Sequence, residues 1–294
     1  MPRCVWPPWR GCPASPQPSP AGPERECRAP RTSAKRGGFC RVVKATRATQ
    51  PHACSTHCSH AAVPARSGAV FPTAIRCPRM TPEQRKSASE ARIRSLDIPV
   101  NEDLRLLAAD DEVQLRSPEE VLQRMIALWA VVGSAMIPGN RYFHRYIVAN
   151  RYQPWLSARE SRFLLKENPG EQQRIQYSWQ LEPLYFIGWC AGLIEHIGIP
   201  QGSSSLKDIV GLFPKDMAPP ERLKAAIRLR PTAEIMDQID LVYRLDWGVR
   251  NLPPTADDSA PVANAGVIQE WHRAANWMIR HKGQDDWDHI EIGA

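Results

Sequence analysis

SPEEVLQRMIALWAVVGSAMIPG, residues 117–139, decides the fold class. Ser117 with Pro118, Glu119 and Glu120 supplies a cap residue, a first-turn proline and two acids, all favoured where a helix begins with unpaired amides and the positive end of its dipole. Val121, Met125, Leu128, Trp129 and Val132 then recur three or four residues apart, a spacing that gathers them on one face of a helix. Pro138-Gly139 stops the run. Gln123 and Arg124 interrupt it, so it is not a bilayer span and its apolar face must meet other helices.

The same period extends outward on both sides. Upstream, Thr81-Pro82-Glu83-Gln84 opens an exposed, charged helix over residues 81–96 that closes before Pro99, and residues 101–116 are mostly connection. Downstream, a helix covers residues 141–151. Ser157-Ala158-Arg159-Glu160 then opens a short one ending near Pro169-Gly170. Residues 171–196 are the most hydrophobic stretch, and Ile175, Trp179, Phe186, Trp189 and Leu193 predict one long central helix kinked at Pro183. A weak helix over 206–212 and another over 220–229 precede a strong one over 231–252, whose inner face is Ile235, Ile239, Val242, Leu245 and Val249. Residues 253–264 read as a polar, Pro-rich loop. The last helix, 266–281, carries Val267, Trp271, Ala274 and Met278 inward. With no internal repeat and no alternating run, residues 80–294 form an all-α domain, a single irregular helical bundle of roughly seven to nine helices.

The first 79 residues differ in kind. They hold 13 of the 28 prolines and show no apolar period, so they cannot bury enough surface to offset the entropy of ordering. This Pro/Arg/Cys-rich segment is expected to be disordered. The helix start directly after Met80 further suggests that translation begins there, with residues 1–79 being upstream sequence read as protein. His52, Cys54, His57, Cys58 and His60 are potential zinc ligands, but no second knuckle follows, and chance composition is the economical explanation.

Charge and cysteine divide at the same place. Residues 1–79 carry 13 Lys and Arg against 2 acids, so the whole-chain formal charge of +7 splits into +11 there and −4 beyond. A net negative domain without a basic stripe argues against a nucleic-acid partner. Cys190 alone follows the tail, which suits a reducing cytoplasm, and no membrane association is expected.

Few residues suggest chemistry. Glu182 interrupts the apolar stripe between Trp179 and Phe186, where a carboxylate needs a partner; Arg230, Arg244 or Arg273 is the expected one. Asp240 with Arg244, and Asp246 with Arg250, stand four apart and read as ion pairs on a solvated face, with Tyr243 and Trp247 beside them. His196 and His281 read as helix C-terminal caps, the tryptophans as core rather than a ligand cage, and Cys190 as an inert core thiol. No two-histidine metal spacing, Gly-rich phosphate loop or nucleophile elbow is present, so no metal, cofactor or catalytic residue is assigned.

Several motifs together carry a family likeness: Met80 to Lys86, Arg116-Ser117-Pro118-Glu119-Glu120-Val121, residues 171–179, Arg230-Pro231 with Glu234-Ile235, Tyr243 to Trp247, and Asn276-Trp277 ahead of Trp287-Asp288. They resemble the bacterial family catalogued as domain of unknown function 4272, over nearly all of residues 80–292. The resemblance implies no activity or cofactor. The residues singled out as a candidate pocket or buried polar network are Glu182, Arg230, Glu234, Asp240, Arg244, Trp247 and Asn276.

Two functions follow as expectations. The first is a non-enzymatic bacterial protein–protein interaction module with a protein partner of unknown identity. The second is a small-molecule-binding or enzymatic domain with a pocket around Glu182, Arg230, Asp240, Arg244 and Trp247. A concave cavity lined by those side chains favours the second; their burial in pairs favours the first.

Overall fold

Capping boxes fix where three of the helices start. The side-chain oxygens of Thr81, Ser117 and Ser157 each accept from the backbone N–H three residues on, while Gln84, Glu120 and Glu160 accept from the caps' own N–H groups. The computed structural model describes residues 79–166, 169–252 and 262–292. The expected disorder of the N-terminal segment up to residue 78, the His/Cys cluster there and most of the 253–264 loop lie outside those residues.

Among the described residues the chain forms nine α-helices and no strand. They are α1 (Pro82–Arg94), α2 (Pro118–Met136), α3 (Tyr142–Ala149), α4 (Ala158–Leu165), α5 (Glu171–Ser178), α6 (Leu181–Cys190), α7 (Glu221–Ala226), α8 (Thr232–Arg250) and α9 (Ala265–Met278). They stack in sequence: α1 rests on α8, α8 on α9, α9 on α6 and α6 on α2, and α3, α4, α5 and α7 lie against α2. One main core fills the space between α2, α6 and α9, and a smaller one, with Ile93, Ile98, Leu241 and Leu245, joins α1 to α8.

The inner faces expected of α2, α8 and α9 are all buried. Trp129 is the aromatic hub of α2, edge-on to Phe143 at 5.0 Å and Tyr146 at 5.2 Å, and stacked on Phe213 at 5.6 Å. The chain's end is closed by Arg116. Its backbone N–H and Nε donate to Met278 O and Trp277 O at 3.0 Å, and its Nη2 to Gln284 O at 2.9 Å.

Four local expectations fail for identifiable reasons. α1 is not an exposed helix: Arg85, Ser89, Glu90 and Ile93 are buried, because ion pairs rather than an apolar stripe carry its inner face. Residues 171–196 do not form one kinked helix. The chain breaks at Trp179–Gln180 and restarts, so that Pro183 sits in the first turn of α6, where a missing N–H costs nothing. α6 then stops at Cys190, since Gly192 takes φ +72° and a Cβ there would stand 2.4 Å from Arg228 O. Residues 206–212 yield only a 3₁₀ turn, Val210–Leu212, with Gly211 inside it and Pro214 just beyond disfavouring helix. His196 therefore lies beyond a helix end and is exposed.

Gly133 allows α3 to approach α2. An alanine Cβ there would meet Phe143 Cζ at 2.1 Å, and such overpacking costs about 1–3 kcal/mol. Gly133→Ala is expected to lower the unfolding free energy by that amount, read as a lower urea midpoint, with partial recovery on adding Phe143→Leu; an unchanged midpoint would refute the contact.

Candidate functional site

α8 carries charge inward. Asp240 and Arg244 sit one helical turn apart, and the guanidinium grips the carboxylate with Nε on Oδ2 and Nη2 on Oδ1, both at 2.9 Å. The pair is fully enclosed, which corrects the expectation of a solvated face. The remaining guanidinium N–H groups reach Leu104 O at 3.4 Å and Arg105 O at 3.1 Å. Arg85 from α1 completes the cluster, donating to Asp237 Oδ1 at 2.8 Å, to Ala108 O and to Asp110 Oδ1. Further along α8, Asp246 meets His272 Nδ1 and Arg250, each at 2.9 Å.

The other candidates serve elsewhere. Arg230 closes the C-terminal end of α6, donating to Trp189 O at 2.8 Å, Ile194 O at 2.7 Å and Glu195 O at 2.8 Å, and it pairs with Glu234. Asn276 tethers the C-terminal segment through Glu291 O at 2.8 Å. Trp247 is half-buried. The seven candidates thus divide into a buried pair, a helix-end cap with its carboxylate, a tether, one aromatic and Glu182.

Glu182 is buried, yet none of Arg230, Arg244 and Arg273 reaches it. It instead accepts the Ser204 backbone N–H at 2.9 Å on Oε1, while Oε2 has no hydrogen-bond partner. The Trp271 indole lies beside the carboxylate without closing to a full hydrogen bond. Burial pushes the Glu182 carboxyl up, against the Ser204 amide, and burial acts the same way on Glu270. Cys190 is also enclosed, its thiol pushed up by burial against the nearby Arg230, which fits an inert role.

A site that sequence reasoning missed lies at the opposite end of the stack. The α2–α3 turn, the end of α4 and the start of α5 enclose a recess of about 120 Å³ that includes Ser134, Asn140, Arg141, His144, Lys166 and Arg174. Gly139, Asn140, Arg141 and His144 also face an open trough of about 600 Å³ that continues to Arg145. Lys166 donates to Gln173 Oε1 at 2.9 Å and Arg174 to Pro169 O at 2.8 Å, both neutral acceptors. Among the described residues, no carboxylate stands at ion-pair distance from Arg141, His144, Lys166 or Arg174. Burial, then the charge of Arg141, holds the His144 imidazole below its ordinary pKa. Spread over three elements, these cations leave no cluster in the sequence; only the Arg141, His144, Arg145 spacing signals them.

The family model described as Domain of unknown function (DUF4272) matches residues 85–290. The chain belongs to the DUF4272 family. No curated protein and no solved structure matches it. The DUF4272 region runs from Arg85, the buried guanidinium of α1, to Ile290 beyond the last helix, and takes in both the ionic cluster on α8 and the cationic recess.

Two outcomes test the DUF4272 interior. Removing one member of a buried pair strands the other, at a cost of about 3–5 kcal/mol, so Arg244→Met is expected to destabilise by that much and Asp240→Leu in the same chain to restore most of it; additive losses would contradict the pairing. Because the folded-state pKa of Glu182 is raised, the native chain keeps a proton that the unfolded chain has released, and stability falls as pH rises from the ordinary carboxylate value through the folded one. Glu182→Gln keeps an acceptor for Ser204 and is expected to flatten that slope in urea midpoints between about pH 4 and 8, leaving a remnant from Glu270 and Asp237, which burial also raises; an unaltered slope would rule Glu182 out.

Proposed function

We propose that the domain is a non-enzymatic protein-interaction module that receives an acidic partner on α3 and the adjoining ends of α4 and α5. One observation carries the reading. Arg141, His144, Arg145 and Val148 recur at helical spacing along the outer side of α3, while Phe143, Tyr146 and Ile147 face the core. Val148 is 42% exposed and Leu165, between recess residues Leu164 and Lys166, is 54% exposed, so apolar contact area adjoins positive charge that no described carboxylate neutralises. A cationic face on a domain of formal charge −4 is a local feature, suited to steering one kind of partner.

The internal pairing of Asp240 with Arg244, and the use of Arg230 as a cap, also support a binding role over an enzymatic one. We take the setting to be the bacterial cytoplasm, which the enclosed free thiol of Cys190 supports. A second reading, a small-molecule or enzymatic site at Glu182, draws on its unpartnered Oε2 and raised pKa.

Affinity capture by the full chain from its native cells, in parallel with a chain carrying Arg145→Glu and Leu165→Ser, tests the proposal. A protein partner is expected to be retained by the first and reduced about tenfold or more on the second. Identical retention by both chains, or loss only with Glu182→Gln, would defeat it.

A further inference from the structure

The inner recess is a different object from the open face around it. At about 120 Å³ it holds roughly four waters' volume at ~30 Å³ each, the scale of a single small charged group and well below that of a whole metabolite pocket. Its basic groups arrive from separate directions: Arg141 and His144 from the start of α3, Lys166 from the end of α4, and Arg174 from α5. Asn140 belongs to the same wall, and its Oδ1 accepts the Tyr142 N–H at 2.8 Å, which leaves its Nδ2 as a further donor. Asn140 and Arg141 also mark the positive end of the α3 dipole.

We infer that this recess binds a phosphate monoester group. Three guanidinium or ammonium groups exceed the single charge of a carboxylate and suit a dianion, with the His144 imidazole beside them as a further polar group. Donors converging from three elements match the three free oxygens of a tetrahedral ester better than the two coplanar oxygens of a carboxylate. A guanidinium such as that of Arg141 can make a forked contact, and Arg174 spends one N–H on Pro169 O and keeps the rest. The fourth oxygen, which carries the ester, then leaves through the mouth into the trough lined by Gly139 and Arg145. The inference rests on the interaction reading only for the source of the group: a phosphorylated side chain of the partner rather than a free phosphate ester.

Among the described residues, the charged groups facing His144 are Arg141 and Arg145 on its own helix, Lys166 from α4 and Arg174 from α5, all of one sign. A bound dianion supplies the opposite sign. Titrating the full chain with inorganic phosphate, with His144 followed by nuclear magnetic resonance, is expected to raise its pKa by about half a unit or more. Arg174→Gln and Lys166→Gln are each expected to weaken phosphate about tenfold. Arg92→Gln, at an exposed position of α1, removes the same charge elsewhere and is expected to leave the affinity within about twofold. An unmoved His144, or equal losses in Arg174→Gln and Arg92→Gln, overturns the inference.

A phosphoserine peptide and glycerol phosphate separate the sources. Tighter binding of the peptide, sensitive to Arg145→Glu, supports a phosphorylated partner. Equal binding of both supports the phosphate site while defeating the interaction reading. A captured partner that depends on Arg145 and Leu165 but survives phosphatase treatment unchanged defeats the phosphate inference and leaves the interaction reading standing.

Discussion

A guanidinium taken out of water has to find an acceptor for its N–H groups, and Arg85 and Arg244 impose that demand on everything around α8. Asp110, Asp237 and Asp240 answer part of it with charge. The rest is met by the carbonyls of Leu104, Arg105 and Ala108, in a stretch with no regular structure of its own. The 101–116 connection is therefore held as an acceptor surface. Lys86 adds to it by donating to Leu104 O at 3.0 Å. α1, which has almost no apolar face, is fixed to the bundle through these groups and a small cluster around Ile93.

The fold uses the same residue types in two opposite ways. Around α1, α8 and the C-terminus, arginines 85, 116, 124, 230 and 244 are matched to carboxylates and carbonyls. Arg124, for instance, is buried against Glu160 and lies 4.6 Å over the Trp287 ring. Around α3, Arg141, Lys166 and Arg174 face a recess, and their described contacts are with neutral atoms. Whole-domain charge averages these two situations into a small negative number and conceals both.

What the sequence made legible was the part governed by one-dimensional rules. Capping boxes at Thr81, Ser117 and Ser157 depend only on residues three apart, and the inner faces of α2, α8 and α9 only on a period of 3.6. The partner of Glu182 was not legible, because a backbone amide at Ser204 looks like nothing in a sequence, whereas three arginines looked like candidates. Pro183 signals a kink because a proline interior to an apolar run usually makes one; that the chain restarts upstream and admits it to a first turn depends on how α5 and α6 separately meet α2. The burial of Asp240 with Arg244 was hidden for a related reason: an i,i+4 ion pair has the same spacing whether or not another helix covers it.

Arg116 and Arg85 share one further property, the distance along the chain to what they hold. Arg85 is 152 residues from Asp237, and Arg116 is 161 from Trp277 and 168 from Gln284. Synthesis proceeds from the N-terminus, so both guanidiniums emerge with only their nearby acceptors at hand, Ala108 and Asp110 for Arg85 and Glu120 for Arg116, long before the distant ones exist. Early helices can form and cluster in the meantime, since Thr81 and Ser117 cap them locally, but Arg116 cannot reach its last acceptors until α9 and the segment after it have been made. The domain is thereby committed to a late, high-contact-order final step, and a chain stalled or cut short before α9 would expose unmatched positive charge beside apolar surface.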